Sequence, residues 1–377
     1  MAIIQTTQLN IPDHIIDFGA GQPSLSLLPR EIMAQAAAHR LAQNDAALLQ
    51  YGAEAGDGYF RIALAQFLSQ GYKMSVDPEH LFITLAASQA LDAICKYYTQ
   101  PGDTIFIEEP TYFLALFIFQ DYPLRIVSIP VDEQGLMIEA LVEALGKYCP
   151  AFLYTIPTFH NPSATTLPAE RREALARLSE EYSFLIVADE VYHLLDYTAP
   201  PPPPLASYDR RGTVLSVGSF SKILAPGLRL GWIQAQPPLL KPFINSGLVQ
   251  SGGGLNPFTS GLVRSALELG LQQEYLGQLK AVYGHRAAAL SQALRQHLPG
   301  ATFAEPEGGF FIWLRLPEGA DTDTLLARAK AYDVAFKPGS SFSQQGGLKN
   351  YLRLSFAYYE AEKLIEGVER LTRVIQK

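Results

Sequence analysis

Short runs of apolar, β-branched and aromatic residues recur along the first two thirds of the chain, at 81–84, 104–108, 124–129, 151–156, 184–189 and 213–218. Helix-length amphipathic segments lie between them. Strands that are apolar on both faces and separated by helices predict a buried, mainly parallel sheet with helices packed against it. One helix is especially clear. Leu167-Pro168-Ala169-Glu170 opens it with proline at the start and an acid in the first turn, and Leu175, Leu178 and Tyr182 recur on one face. The run Pro200 to Pro204 cannot sit inside a helix or a central strand and predicts a stiff surface loop.

After Gly231-Trp232 the rhythm changes to long helical patterns at 257–269 and 274–298, followed by strand patterns at 309–316 and 351–356. Leu364, Val368, Leu371 and Val374 mark the buried stripe of a closing helix. This half of the pattern predicts a second, smaller α+β domain.

Composition narrows the classes. The chain has 377 residues, 48% hydrophobic and 18% charged, enough to bury a sizeable core. Its 29 Lys+Arg against 37 Asp+Glu leave a net charge of -8 without blocks of like charge, so nucleic acid is not an expected partner. Cys95 and Cys149 stand far apart and away from any histidine cluster, which suggests neither a disulfide framework nor a zinc site and points to a reducing cytoplasm. Residues 1–10 lack the basic and apolar regions of a secretory signal, and the most apolar stretch, 113–119, is too short to span a bilayer, so no membrane association is expected.

Candidate chemistry concentrates after the apolar runs. In Ser216-Val-Gly-Ser-Phe-Ser-Lys-Ile-Leu-Ala-Pro-Gly-Leu-Arg229 a buried strand leads into Ser219, Ser221 and Lys222, with Arg229 seven residues beyond the lysine. Desolvation and nearby cations lower a lysine's pKa, and only the neutral amine attacks an aldehyde. Alone, the segment reads as a surface lysine beside a capping serine. The rest of the set changes that reading. Asp189 ends an apolar strand, where a carboxylate needs a cationic partner such as a protonated pyridine nitrogen. Tyr192 follows three residues later, and Asn161 lies just past the preceding strand; both can hydrogen-bond a phenolic oxygen. All these positions fall at the carboxyl ends of predicted parallel strands, where open α/β sheets bind ligands.

In order and spacing these motifs resemble the class I/II aminotransferases of the fold-type I pyridoxal 5'-phosphate (PLP) family, over nearly the whole chain. The resemblance implies a three-layer α/β/α large domain around PLP at 46–270, with 1–45 and 271–377 forming the smaller domain. It implies that Lys222 is the Schiff-base lysine, that Asp189 keeps the pyridine nitrogen protonated and that Tyr192 and Asn161 hold the ring oxygen, Asn161 also touching the substrate. Ala87, Ser88, Ser219, Ser221 and Arg229 match the phosphate ligands. Leu85-Ala-Ala-Ser-Gln follows a strand and opens a helix, a natural anion site, although relatives often carry glycine where this chain has Ala86 or Ala87, and Ser88 also reads as a plain N-cap. Tyr112 matches the aromatic residue that stacks on the ring. Arg353 matches the clamp for the substrate α-carboxylate, although by itself an inward arginine reads first as the partner of an Asp or Glu. Gly21, in Gly19-Ala-Gly-Gln-Pro, matches a loop beside the same carboxylate and by itself is a generic turn.

The segments Phe159-His-Asn-Pro, Asp189-Glu-Val-Tyr and Gly218-Ser-Phe-Ser-Lys are most similar to the 2-aminoadipate, aromatic and kynurenine subgroup, and Phe311 matches a residue near the substrate there. The activity implied is transfer of an amino group from an L-amino acid to a 2-oxo acid, 2-oxoglutarate being the expected acceptor. Other PLP chemistry on the same scaffold, elimination or decarboxylation, is the first alternative. A regulator-like sensor is the second, and it is not expected because few residues precede Gly19. In Gln50-Tyr-Gly-Ala-Glu-Ala-Gly the resemblance makes Tyr51 the residue that reaches a partner's PLP phosphate across a homodimer; without it, Tyr51 is an ordinary loop aromatic.

Overall fold

The computed structural model describes residues 7–376, so most of the stretch 1–10 lies outside the described residues. An eight-stranded sheet forms the centre. Across it the strands run Leu81–Thr84, Gly231–Gln234, Val214–Ser219, Leu185–Asp189, Pro150–Thr155, Thr104–Glu109, Arg125–Asp132 and Gly135–Leu136. The middle strands are parallel, and Gly231–Gln234 runs antiparallel to both of its neighbours.

Alternation along each strand explains the two covering layers. Ile105, Ile107, Phe152, Tyr154, Val187, Leu215 and Val217 feed one core, where the helices Ala86–Tyr98, Phe113–Gln120 and Pro237–Ile244 pack. Phe106, Leu153, Ile186, Ala188 and Val214 feed the other, against Ile138–Leu145 and Ala169–Tyr182. All six predicted strand runs are strands with ends shifted by a few residues, and the expected α/β class holds.

Two local expectations are corrected. In Ala169–Tyr182, Leu175 and Leu178 are buried but Tyr182 is 42% exposed, at the end of the helix where the apolar stripe has left the sheet. Arg172 takes a place in the buried face instead. The proline run is loop, yet Pro204 is buried and the Pro203 carbonyl accepts from Arg172 at 3.1 Å, so its far end belongs to the interior.

A third core gathers the C-terminal part. The helices Leu271–His297 and Ala361–Ile375 pack on each other and on an antiparallel sheet of Phe311–Arg315, Tyr351–Ser355 and Lys337–Pro338. Leu364, Val368, Leu371 and Val374 are all fully buried, as their spacing predicts. Near the N-terminus, Ile16–Asp17 pairs in parallel with Val334–Ala335, which brings Gly19 and Gly21 beside the C-terminal sheet. Among the described residues no helix is long and apolar enough to cross a membrane.

Candidate active site

Parallel strands place their carboxyl ends on one edge, and the expected residues collect there. Asp189 and Ser219 end their strands, Tyr112 and Asn161 follow theirs, and Ala87 and Ser88 open the helix after Leu81–Thr84. Asp189, Asn161, Tyr192 and Ser219 are buried; Lys222, Tyr112, Ser221 and Ala87 are half-buried.

The Lys222 amine donates to the Gly21 carbonyl at 2.9 Å and lies 5.4 Å from the centre of the Phe310 ring. Burial, helped by the Arg353 charge, pulls its pKa down to about 8. Asp189 is its counterweight. Burial pushes that carboxyl up to about 6 against the Tyr154 hydrogen bond, the Val191 amide and the Lys222 charge. One Asp189 oxygen, Oδ1, is buried with no hydrogen-bond partner. Tyr192 is raised by burial and stays a phenol, wedged edge-on against Phe310 at 5.4 Å and Phe311 at 5.9 Å.

Arg353 is held by its strand. It donates to Asn161 Oδ1 at 2.8 Å and to the Gly19 carbonyl at 3.1 Å, and its guanidinium lies 4.0 Å from the centre of the Phe311 ring. No carboxylate pairs with it among the described residues, and burial draws its pKa down to about 10. A side chain on Gly21 would press on Phe311 at 3.2 Å and on Arg353 Nη2 at 3.5 Å, so that glycine borders the same space.

The anion set converges less tightly. The Ser221 amide donates to Ser219 Oγ at 3.1 Å, and the two hydroxyls are 3.0 Å apart. Arg229 is exposed and reaches the Leu85 carbonyl at 3.3 Å, beside the start of the helix Ala86–Tyr98. Ser88 is not that helix's N-cap, because Leu85 holds the position without a side-chain bond. Ala86 adopts φ 69°, a conformation suited to glycine, which accounts for the glycine that relatives often place here. Tyr51 is 80% exposed, and Ser88, like Arg229, is exposed as well.

Gly231 locks two of these segments together. A Cβ there would stand 2.6 Å from the Gly218 carbonyl and 2.8 Å from Ala86 Cα, both backbone atoms. Gly231→Ala should therefore destabilise the protein by about 1–3 kcal/mol, read by denaturant unfolding. Unchanged stability would mean that the two loops can part freely.

Several supporting residues have no signal in the sequence. Glu108 accepts from Thr155 Oγ1 at 2.6 Å and the Ile156 amide at 2.8 Å and stands 3.1 Å from His160, bracing the turn that carries Asn161. Glu109 accepts from Ser343 and from the Gln344 amide at 3.2 Å, which ties the sheet edge to the C-terminal lobe. Both acids sit in an apolar run and read there as strand ends.

The residues present fit PLP on structural grounds. Asp189 Oδ1 is an orphaned acceptor suited to a ring N–H, Lys222 is an amine of lowered pKa on the same edge, and the left-handed turn at Ala86 opens a helix toward Arg229.

Comparison with known proteins agrees. The sequence matches the family "Aminotransferase class I and II" over residues 13–371. It is 36% identical to aromatic-amino-acid aminotransferase 1 of Thermococcus litoralis, covering 96% of this chain and 88% of that protein. The multiple substrate aminotransferase of Thermococcus profundus superposes with a TM-score of 0.90 at 34% identity, covering 97% and 92% of the two chains. The α-aminoadipate aminotransferase LysN of Thermus thermophilus, solved with N-(5'-phosphopyridoxyl)-L-leucine, superposes with a TM-score of 0.87 at 33% identity over 97% and 92%. This chain belongs to the class I and II aminotransferases, PLP-dependent enzymes of fold type I that move an amino group from an amino acid to a 2-oxo acid.

Proposed function

We propose that the enzyme takes aromatic or 2-aminoadipate-like amino acids as donors and 2-oxoglutarate as acceptor, and that it works in the cytoplasm, where the free Cys95 and Cys149 stay reduced. The relatives' substrates and the aromatic walls around Arg353, formed by Phe311, Phe113 and Phe342, support the donor class. The observation that carries the assignment of roles is the unpaired, buried Asp189 Oδ1 on the edge that also carries Lys222.

In this reading Asp189 would keep the ring nitrogen protonated, Asn161 and Tyr192 would hold the ring oxygen, and Tyr112 would hold the ring face. Ala87, Ser88, Ser219, Ser221 and Arg229 would hold the phosphate. PLP, when bound, supplies an aldehyde for attachment and a cationic ring that takes up the electron pair left by proton removal. Lys222 Nζ would be the amine that holds the group and, when free, the base and then the acid that moves the proton at the substrate α-carbon. Arg353 clamps the α-carboxylate beside Gly21 and so sets which bond at the α-carbon faces Lys222. Holoenzyme given one amino acid and no acceptor tests this function. Stoichiometric pyridoxamine phosphate and the matching 2-oxo acid are expected with an aromatic or aminoadipate donor; inertness toward both donors sinks the substrate assignment, and release of ammonia or carbon dioxide marks a lyase or decarboxylase.

The working form in this reading is a homodimer with shared sites. Tyr51 is exposed on its own chain, and Leu49 and Tyr59, close to it in sequence, are exposed as well. Lys222→Ala and Tyr51→Ala chains should each be weak alone. After dissociation and reassembly together, a mixed dimer has one site with both residues and one with neither, so activity per mixed dimer should return toward half of normal. Absence of recovery in a verified mixed dimer removes Tyr51 from the partner's site.

A further inference from the structure

The strand Pro150–Thr155 reads Pro-Ala-Phe-Leu-Tyr-Thr, and in it Tyr154 is fully buried. A phenol in such a place must set its hydroxyl on a partner or lose the hydrogen bond it makes in water. Register decides which partner. Tyr154 pairs with Val187 of the neighbouring strand, and side chains alternate, so Val187 and Asp189 share the face on which Tyr154 lies. The phenol reaches along that face and donates to Asp189 Oδ2 at 2.8 Å. Phe119 of the helix Phe113–Gln120 meets its ring edge-on with centroids 5.2 Å apart, which fixes the ring in place. Burial and the Asp189 charge hold the phenol far above its ordinary range, so it remains a donor. The carboxylate is thereby divided, Oδ2 committed to Tyr154 and Oδ1 open.

We propose that Tyr154 is a positioning residue for amino-group transfer: by occupying Oδ2 it sets the plane of the Asp189 carboxylate and leaves Oδ1 as the single oxygen presented to the ring N–H of PLP. This rests on the assignment of Asp189 to that nitrogen. The hydrogen bond also favours the ionised carboxylate. Without it, Asp189 becomes a stronger base and turns more freely, and the proton shared with the ring nitrogen moves toward the carboxylate.

The test uses holoenzyme loaded with cofactor labelled at the ring nitrogen. Tyr154→Phe keeps the ring and its contact with Phe119. Its nitrogen resonance should move toward the unprotonated position, and kcat should fall about tenfold while KM for the amino acid stays within about twofold, because Arg353 is untouched. A fluorinated tyrosine at 154, a stronger donor, should move the resonance the opposite way, and it preserves the test if the phenylalanine protein does not fold. Asp189→Asn separates the two assignments. If it leaves the resonance unchanged, the role of Asp189 itself fails. If it shifts the resonance and neither change at Tyr154 does, the proposal for Tyr154 is overturned and Asp189 keeps its role. Adding Tyr154→Phe to Asp189→Asn should change nothing further, and an additive effect would show that Tyr154 acts by another route.

Discussion

Replacing Lys222 by alanine should lower amino-group transfer by about four orders of magnitude while leaving the fold and most of the cofactor affinity in place. The split follows from geometry. The residues proposed for the phosphate and the ring come from the helix start at Ala86, the strand end at Ser219 and the loop at Arg229, none of which needs the lysine to stand where it does. Lys222 itself hydrogen-bonds only the Gly21 carbonyl, so its loss breaks no side-chain hydrogen bond, although it takes a cation away from the buried Asp189. Its chemistry depends on a neutral amine. With a pKa of about 8 in place of 10.5, about one amine in ten is neutral at pH 7 rather than about one in three thousand. The rate at which cofactor attaches to apoprotein should therefore rise with pH and level off above about 8. Borohydride reduction followed by peptide mapping gives the direct check, and a label on another lysine sinks the assignment.

The parts legible in the sequence are those whose physical cause is local. Val187, Ile186 and their neighbours form a strand because a run apolar on both faces has no other stable place, and Leu364, Val368, Leu371 and Val374 mark a helix face by spacing alone. The strand Gly231–Gln234 escaped that test. It is four residues long and in the sequence marks only the place where the rhythm changes, yet its backbone joins Leu81–Thr84 to Val214–Ser219. Tyr182 fits the helical period and still lies outside the core, because where a helix leaves its sheet is a tertiary fact.

The site divides along the same line. Lys222, Asp189, Asn161 and Arg353 stand at strand ends or in motifs whose order is visible. The groups that aim them do not. Tyr154 and Glu108 are ordinary strand residues until the register sets Tyr154 against Asp189 and the packing sets Glu108 beside His160. Arg172 looks like a solvated helix residue, yet it donates to the carbonyls of Leu167 at 2.8 Å and Pro157 at 2.7 Å and lies 3.6 Å from Glu190, next to Asp189 in the chain. A buried polar group is specified by partners far away in sequence, and periodicity carries no record of them.

Arg353→Lys should cut kcat/KM for both the amino acid and the 2-oxo acid by about two to three orders of magnitude while cofactor content stays normal. The expected loss is about 3–4 kcal/mol, that of two hydrogen bonds to a charged group. Arg353 is 2% exposed and has neutral partners only, Asn161 Oδ1 and the Gly19 carbonyl, with three aromatic rings around it. A buried cation with no carboxylate paired to it is costly, and its lowered pKa expresses that cost. An incoming carboxylate relieves it, so part of the desolvation needed for binding has already been met in the folded protein. Lysine cannot reproduce the planar fork that keeps Asn161 and Gly19 engaged while two donors face the substrate, and its ammonium is more strongly hydrated. The loss should appear chiefly in KM, with a smaller effect on kcat from the less exact placement of the α-carbon against Lys222. If affinity for both substrates survives the change, Arg353 is a structural tie between Asn161 and the N-terminal loop, and the carboxylate binds elsewhere.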